Sequence, residues 1–582
     1  MHASRLFSLA ILAAGLGGFV CVSRARADDK EPLAARSRAD VLGMTGLSET
    51  ERKTEALRRN GDRAIQIGEF DDAARAYAQA VLRSPNDPVL RLLTGVSLTT
   101  IRKPDVAVAQ FKVACRLTGD DLVASLLLQG ALAQTGQSDA AQTVYLEAVR
   151  RYGKPSGGLD SSASLVRLKA ALKTTPNSPI LHLLVGDAYQ IAENLPAANA
   201  AYRTAISFAP GWANPKVNLG LLRLAQDKPV EAVQLFESAL KRDPENVALQ
   251  FFRADAQREA GNLKGAIANY QRIQTRTASR GKTAPINAQA LTGLGQAYAA
   301  GGRLEDALTA FNQARVIAPT DPAPPAAIGE VQTKKRDFEA AAQNYKDALR
   351  LTKASGLFGT QAVLYQALAQ TQIAGKQTNA ALQTLERALR EQPESAGLWH
   401  RLRGEAMLSV GNQIAAEAAF RASLDAQADA GVFPQETLAV IASKGLLDDI
   451  TAGYRANLSA SGGGFARSMN TAPGSVGVIG RPADASPERE TRALIALAAI
   501  AQYQSKTAEE LAYREELTRR RSRGADWFAL ADAYDGRARD AAKAKQAYRQ
   551  ALNLGGLSDA QTERARLRMK QFAGVGREAV KP

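Results

Sequence analysis

Histidine and cysteine are nearly absent from this chain of 582 residues, which has three of the first and two of the second. Met1 to Ala27 holds one of each, so beyond it only His182, His400 and Cys115 remain. One thiol closes no disulfide within the chain, and Cys115, next to Ala114, fits a small buried side chain better than a reactive one. His182 and His400 each stand four residues before a recurring glycine, a shared register that points to packing rather than to metal binding or proton transfer. Gly281-Lys282-Thr283 ends like a phosphate-binding loop, yet Arg276 stands where its first glycine belongs and no strand precedes it. Gly474, Gly477 and Gly480 likewise lack the strand-turn-helix setting of a dinucleotide site. Glu509 and Glu510 fall on a helix expected to face water, which is no enclosed place for acid-base chemistry. We therefore expect no catalytic residue, no metal and no cofactor. The longest stretch outside the periodic pattern, about 430 to 490, is too short for a catalytic domain of ordinary size.

What the chain does have is a grid. Glycine, alanine, an aromatic and proline return at fixed offsets about every 34 residues. Gly186, Ala198, Tyr202, Ala205 and Pro210 are spaced as Gly220, Ala232, Phe236, Ala239 and Pro244 are. The same holds for Gly61, Ala73, Tyr77, Ala80 and Pro85, and for Gly295, Ala307, Phe311, Ala314 and Pro319. Taking the small residue of the first helix as a marker gives Gly61, Gly95, Gln129, Gly186, Gly220, Ala254, Gly295, Gly329, Ala369, Gly404, Leu497 and Ala531. Small residues at the marker and first alanine let two antiparallel helices approach closely, the aromatic fills the space between them, and proline ends the second. Gly261 suits the left-handed turn between the two helices.

This grid resembles the tetratricopeptide repeat, a helix-turn-helix unit of 34 residues. The resemblance implies an all-α, right-handed α-solenoid of about twelve units. It places units 1–3 at 51–155, an inserted helix at 156–178, units 4–10 at 179–430 and units 11–12 at 490–557. The periodicity of Thr437, Val440, Ile441, Leu446, Leu447 and Ile450 adds helices at 431–458 that fold onto the tenth unit. Residues 459–489, rich in Gly, Ser and Pro, read as a flexible linker. A capping helix and tail fill 558–582, opened by a capping box at Ser558 and Gln561, with Arg564, Arg566, Arg568 and Lys570 on a solvated outer face.

At the other end, Met1 to Ala27 reads as a cleavable secretion signal, with Arg5, an apolar core from Leu6 to Val22 and a small-x-small site at Ala25-Arg26-Ala27. An uncleaved anchor is the alternative. Residues 28–50 form an N-terminal extension. After cleavage no later apolar run is long enough to span a bilayer, so the expected location is periplasmic or extracellular. The formal charge is +16, and removing the signal takes away three arginines and no acid. A basic surface of this size suits solubility or acidic partners, and no nucleic-acid reading motif is present.

In repeats of this type the first helices line the concave side, so their inward positions, six and three before the marker and one and four after it, form the candidate groove. They include Arg58, Asp62, Val96, Asp187, Gln190, Val217, Leu221, Leu224, Phe251, Asp255, Arg258, Gln296, Glu330, Gln366, Gln370, Arg401 and Glu405. Val217, Leu221, Leu224 and Phe251 are expected to make an apolar patch flanked by Asp187, Asp255 and Arg258, suited to an extended peptide or an amphipathic helix. The expectation is a non-enzymatic scaffold or assembly factor of the cell envelope that grips a protein segment. The alternative is an accessory of exopolysaccharide export with an anionic polysaccharide as partner, since the layout resembles the repeat-rich periplasmic parts of such systems.

Overall fold

The computed structural model describes residues 48–153, 159–278, 285–354, 361–460 and 487–578. The expected secretion signal, nearly all of the N-terminal extension, the phosphate-loop-like Gly281-Lys282-Thr283 and most of the 459–489 linker lie outside the described residues. Among the described residues the chain is all-α, with no β-strand and a lone antiparallel bridge between Gly153 and Leu159. It divides into two compact units, Met1–Val331 and Gln332–Pro582.

In the first unit, helical hairpins follow one another from Glu49–Ile67 with Phe70–Arg83 to Pro285–Ala300 with Leu304–Ile317. These are seven repeats, and Ser162–Thr174 stands alone between the third and the fourth. The second unit continues with Gln361–Ala374 and Thr378–Glu391, then Ala396–Ser409 and Gln413–Asp429. An extra hairpin, Gln435–Ser443 with Leu447–Ala460, packs through Leu438, Ile441, Leu446 and Ile450 against Phe420 and Leu424 of the tenth repeat, as the spacing predicts. Repeats 11 and 12 follow, and Asp559–Glu578 closes the chain.

Local chemistry starts these helices. Asp87 accepts from the backbone N–H of Val89 and Leu90, with Pro88 in the first turn, and Asp121 does the same for Val123 and Ala124. Ser558 and Gln561 make the expected capping box. The turn inside each hairpin needs one left-handed residue, seven places after the marker. Glycine supplies it at Gly68, Gly136, Gly261, Gly302 and Gly411, but Arg102, Glu193, Asp227, Arg336 and Lys376 adopt the same conformation without being glycine.

The marker glycines are small because an aromatic ring lies against them. A Cβ on Gly95 would sit 2.3 Å from the Phe111 ring, and one on Gly61 or Gly220 2.6 Å from Tyr77 or Phe236. These rings are buried together with Ala73, Ala80, Ala198, Ala205, Ala232, Ala239, Ala307 and Ala314 at the grid positions. Repeat 12 carries one residue more between its marker Ala531 and Tyr548 than other repeats do, and a π-helical turn at Ala533–Ala538 absorbs it. The ring therefore keeps its place, and the Tyr548 hydroxyl still reaches Asp532 at 2.5 Å.

Three expectations near the C-terminus are corrected. Glu510 does not face water; it is fully buried and accepts from Arg514 at 2.8 Å and from both arms of Arg537 at 2.6 and 2.7 Å. Arg568 turns inward to bond Asp535 of repeat 12, whereas Arg564 stays exposed as expected while it pairs with Asp532. In repeat 11 the left-handed residue is Ser505, one place later than marker Leu497 predicts. Ala498 is then the marker, and Arg514 stands where the aromatic was expected. Tyr513 instead receives a hydrogen bond from Arg455 of the preceding hairpin.

Candidate functional site

In repeats 1, 4 and 6 the grid aromatic is a tyrosine, and the inward residue one place after the marker is an aspartate that meets it. The Tyr77 hydroxyl donates to Asp62 at 2.8 Å, that of Tyr202 to Asp187 at 2.8 Å and that of Tyr270 to Asp255 at 3.3 Å. A phenylalanine ring needs no such carboxylate, and in repeats 2, 5 and 7 the same position carries Val96 beside Phe111, Leu221 beside Phe236 and Gln296 beside Phe311. A phenol packed between helices has to place its O–H, and the aspartate supplies the acceptor.

Burial pushes the Asp62 carboxyl up to about 6, against the opposing pull of hydrogen bonds from Ser178 and Tyr77 and of the Arg58 charge. Asp187 is likewise pushed up to about 6 by burial, while bonds from Tyr202 and Asn218 work in the other direction. These aspartates are committed to the fold. Asp187, Asp255 and their neighbours Gln190, which also accepts from Tyr202, and Arg258, which pairs with Asp255 at 2.6 Å, are not free groups awaiting a ligand.

The inward faces of repeats 1 to 3 are occupied by the same chain. The first helix of repeat 4, Pro179–Ile191, packs against the first helices of repeats 1, 2 and 3. Arg58 donates to the Thr174 hydroxyl at 2.8 Å, Gln66 donates through its amide to the Asn177 carbonyl at 3.1 Å, and Ser178 donates to Asp62. The inserted helix Ser162–Thr174 is tied at its other end to Asp121, which accepts from Ser164 at 2.9 Å and also from Arg167. Farther along, Arg242 donates to the Gly68 carbonyl at 3.2 Å and lies over the Phe70 ring at 5.3 Å. Val96 is buried in the core that results.

The expected apolar patch is also covered. Val217, Leu221 and Leu224 are buried in one cluster with Leu249, Phe252 and Ala256 of repeat 6, and Phe251 packs against it in part, with its ring 5.9 Å from that of Tyr270. The patch glues two repeats together and offers a partner no strip. In the second unit Arg401 bonds Glu405 at 2.8 Å.

What stays open is narrower than the sequence suggests. Gln296 in the first unit and Val363 and Gln370 in the second are exposed, Gln289 and Gln366 are partly so, and Glu330, though exposed, interacts within the chain. The four glutamine amides, Gln289, Gln296, Gln366 and Gln370, have no hydrogen-bonding partner among the described residues. Gln289 is six before marker Gly295, so the grid locates it.

His182 donates through Nε2–H to the Pro176 carbonyl and packs 5.5 Å from Phe208, and burial together with the Arg403 charge pushes His400 below its usual value. Burial raises the Cys115 thiol to about 11, so it is not a ready nucleophile. Among the described residues no group of three or more His, Cys, Asp or Glu side chains could hold a metal, and no helix is long and apolar enough to cross a membrane.

A family model of the tetratricopeptide repeat matches residues 58–121, 217–282 and 275–322, and a second model of the same description matches 361–395. No curated protein matches the sequence. Among solved structures, yeast Tom70 is similar at 13% identity, covering 91% of this chain and 97% of its own, with a TM-score of 0.30. Pseudomonas aeruginosa pilF is similar at 16% identity over 40% of this chain and 94% of its own, with a TM-score of 0.29. A thermophilic tetratricopeptide repeat protein of Thermus thermophilus is 21% identical over 34% of this chain and 99% of its own, at a TM-score of 0.28. With the marker glycines, the rings that lie on them and the two matching models all in one register, this chain is a tetratricopeptide repeat protein.

Proposed function

We propose that this protein is a non-enzymatic scaffold or assembly factor of the cell envelope that holds segments of partner protein on open inward faces of its first helices, one face in repeat 7 of the first unit and, as a separate site, one in repeat 9 of the second. A repeat array of this family is a binding framework for protein or peptide partners, because the grid is spent on stacking and leaves the remaining surface free to vary. The observation that carries the location is the contrast between repeats. At equivalent positions Arg58, Asp62, Asp187 and Asp255 are bonded within the chain, whereas Gln289, Gln296, Gln366 and Gln370 are not. A polar side chain with unused donors and acceptors on an accessible face can bond a ligand at little desolvation cost. The envelope location is supported by the signal-like composition of Met1 to Ala27. The polysaccharide reading gains nothing from these faces, whose uncommitted groups are uncharged amides.

The test places a photo-crosslinking residue at Gln296, at Gln370 and, as a control, at Leu82 on a second helix, which is 82% exposed. Crosslinks from Gln296 and Gln370 to one discrete polypeptide in an envelope extract, absent from Leu82, are expected. Equal capture from all three positions would remove these faces as the site. A phosphatase that is active only after export, fused behind residue 50, tests the location.

A further inference from the structure

We infer that one edge of the first unit, formed where the second helices of repeats 1 to 3 end, docks on an anionic lipid surface. This edge is separate from the partner faces described above, and the inference does not rest on them.

The three helices are Phe70–Arg83, Pro104–Thr118 and Ser138–Tyr152, and in their last turns they carry the exposed arginines Arg83, Arg116 and Arg150. A cation in the last turn offsets the helix dipole, which accounts for the arginines. It does not account for the leucines beside them. Leu82, next to Arg83, is 82% exposed, and Leu117, next to Arg116, is exposed as well. In repeat 3, Leu146 is exposed one turn before Arg150 on the same side of its helix. Leucine and arginine therefore come together at the same end of three successive repeats.

Bonds between neighbouring repeats hold these ends in a row. Arg91, on the first helix of repeat 2, donates to the Pro85 carbonyl just beyond the first end and to Gln110 on the second helix. Arg151 donates at 2.8 Å to the Gly119 carbonyl, two residues past Leu117.

Most acids of this edge are already engaged. Asp87 caps a helix, Asp121 accepts from Arg167, and Asp120 pairs with Arg151. Where the first helix of repeat 1 begins, Glu49 pairs with Lys53 and Glu51 closes the Ser48 capping box. The guanidinium groups of Arg83, Arg116 and Arg150 have no partner among the described residues. Glu147 is an unpaired acid among them, so the edge presents more unpaired cations than anions.

Cations alone would suit any polyanion. Leucines interleaved with them suit a bilayer, where an aliphatic side chain sinks to the boundary of headgroup and acyl chain while the guanidinium stays among the phosphates. A hydrated polysaccharide offers an exposed leucine no apolar phase. The opposite edge supplies the contrast. Ile67 and Val106 are exposed there beside Glu69, Asp71 and Asp105, which an anionic surface repels, and Arg102 and Arg242 are engaged with Asp243 and the Gly68 carbonyl.

The experiment uses the full chain with Cys21→Ser and one new cysteine, Leu82→Cys, Leu117→Cys, Ile67→Cys or Val106→Cys, carrying a fluorophore. Cys115 is buried and its thiol is raised to about 11, so it escapes labelling. Vesicles with brominated acyl chains are made from phosphatidylglycerol with phosphatidylcholine, or from phosphatidylcholine alone. The anionic vesicles should quench the label at positions 82 and 117 and not at 67 and 106, even where Leu6 to Val22 also tethers the chain. Raising salt from roughly 0.05 to 0.5 M should remove the quenching. The variant Arg83→Gln/Arg116→Gln/Arg150→Gln should lower the partition read from it about a hundredfold, about fivefold for each cation near such a surface.

Quenching at all four positions, none at 82 and 117, or equal quenching by neutral vesicles would overturn the inference. So would displacement of the vesicles by alginate at matched charge, which would make the edge a site for soluble polyanions.

Discussion

The Tyr77 hydroxyl donates at 2.8 Å to a carboxylate fifteen residues earlier, that of Asp62, across the two helices of one repeat. The pair returns as Tyr202 with Asp187 and as Tyr270 with Asp255, and both members are replaced together in repeats 2, 5 and 7, where the ring is phenylalanine. Ring and inward residue therefore vary together across these repeats, which makes the pair a unit that mutation can test.

Tyr202→Phe alone leaves Asp187 with Asn218 and one donor short, and Asp187→Leu alone leaves the phenol with Gln190. Each should cost about 1–3 kcal/mol, the usual penalty for stranding a buried polar group. The double variant recreates the Leu221–Phe236 arrangement of repeat 5 and should recover at least half of the summed loss. A denaturant double-mutant cycle checks this, and simple additivity would refute the coupling.

Acid should at first stabilise the first unit. Asp62 and Asp187 titrate near 6 when folded, above the ordinary carboxylate value of 3.8, so the folded state binds their protons more tightly. Stability from these two groups rises as pH falls from about 7 toward 4 and levels off below, by of order 2 kcal/mol for each buried group. Glu391 behaves oppositely. Burial works against its ionised form, but bonds from Lys353, Tyr365 and Arg387 outweigh it and hold it down to about 2, so its contribution is present above the ordinary value of 4.5 and is lost as pH falls toward 2. Melting curves of the parent and of Asp62→Asn between pH 4 and 7, at fixed ionic strength, should show the rise shrink in the variant.

Gly95→Ala should cost more than a helix propensity scale suggests. Alanine is favoured over glycine within a helix by about 1 kcal/mol, but here its Cβ meets the Phe111 ring at 2.3 Å. We expect a net loss of about 1–3 kcal/mol from overpacking. Pairing it with Phe111→Leu should return part of that loss, and chemical denaturation measures both.

Lys376 and Arg336 hold left-handed backbone in the turns of repeats 9 and 8. Replacing either with glycine removes a penalty of about 1 kcal/mol for an L side chain there, less the extra freedom glycine has in the unfolded chain. A gain of a few tenths of a kcal/mol is expected. Gly261→Ala, with φ of 79°, should lose stability although nothing lies within 4 Å of its Cβ.

The grid was legible because close approach of two helices dictates volume: Gly61, Ala73 and Tyr77 leave few substitutes at their places. The register of repeat 11 was not, since a run such as Leu494 to Ala501 offers small apolar residues at several offsets, and the turn residue Ser505 decided among them. The coupling of Asp62 to Tyr77 was present in the sequence as the alternation of Asp with Tyr and of Val96 or Leu221 with Phe. The closure of repeats 1 to 3 on repeat 4 left no periodic trace, because Arg58, Asp62 and Gln66 meet partners more than a hundred residues away. For that reason a general rule for inward positions overstated the free surface, and Val217, Leu221 and Leu224, expected on a binding strip, are buried against Leu249, Phe252 and Ala256 of repeat 6.

The bond from Arg242 to the Gly68 carbonyl spans 174 residues of chain. A repeat array is ordinarily able to settle unit by unit as it leaves the ribosome, each hairpin docking on the one before. Here the earliest hairpin waits for the sixth to begin, roughly ten to thirty seconds at typical synthesis rates of about 5–20 residues per second. During that interval the Phe70 ring is without the Arg242 guanidinium that lies over it in the folded chain.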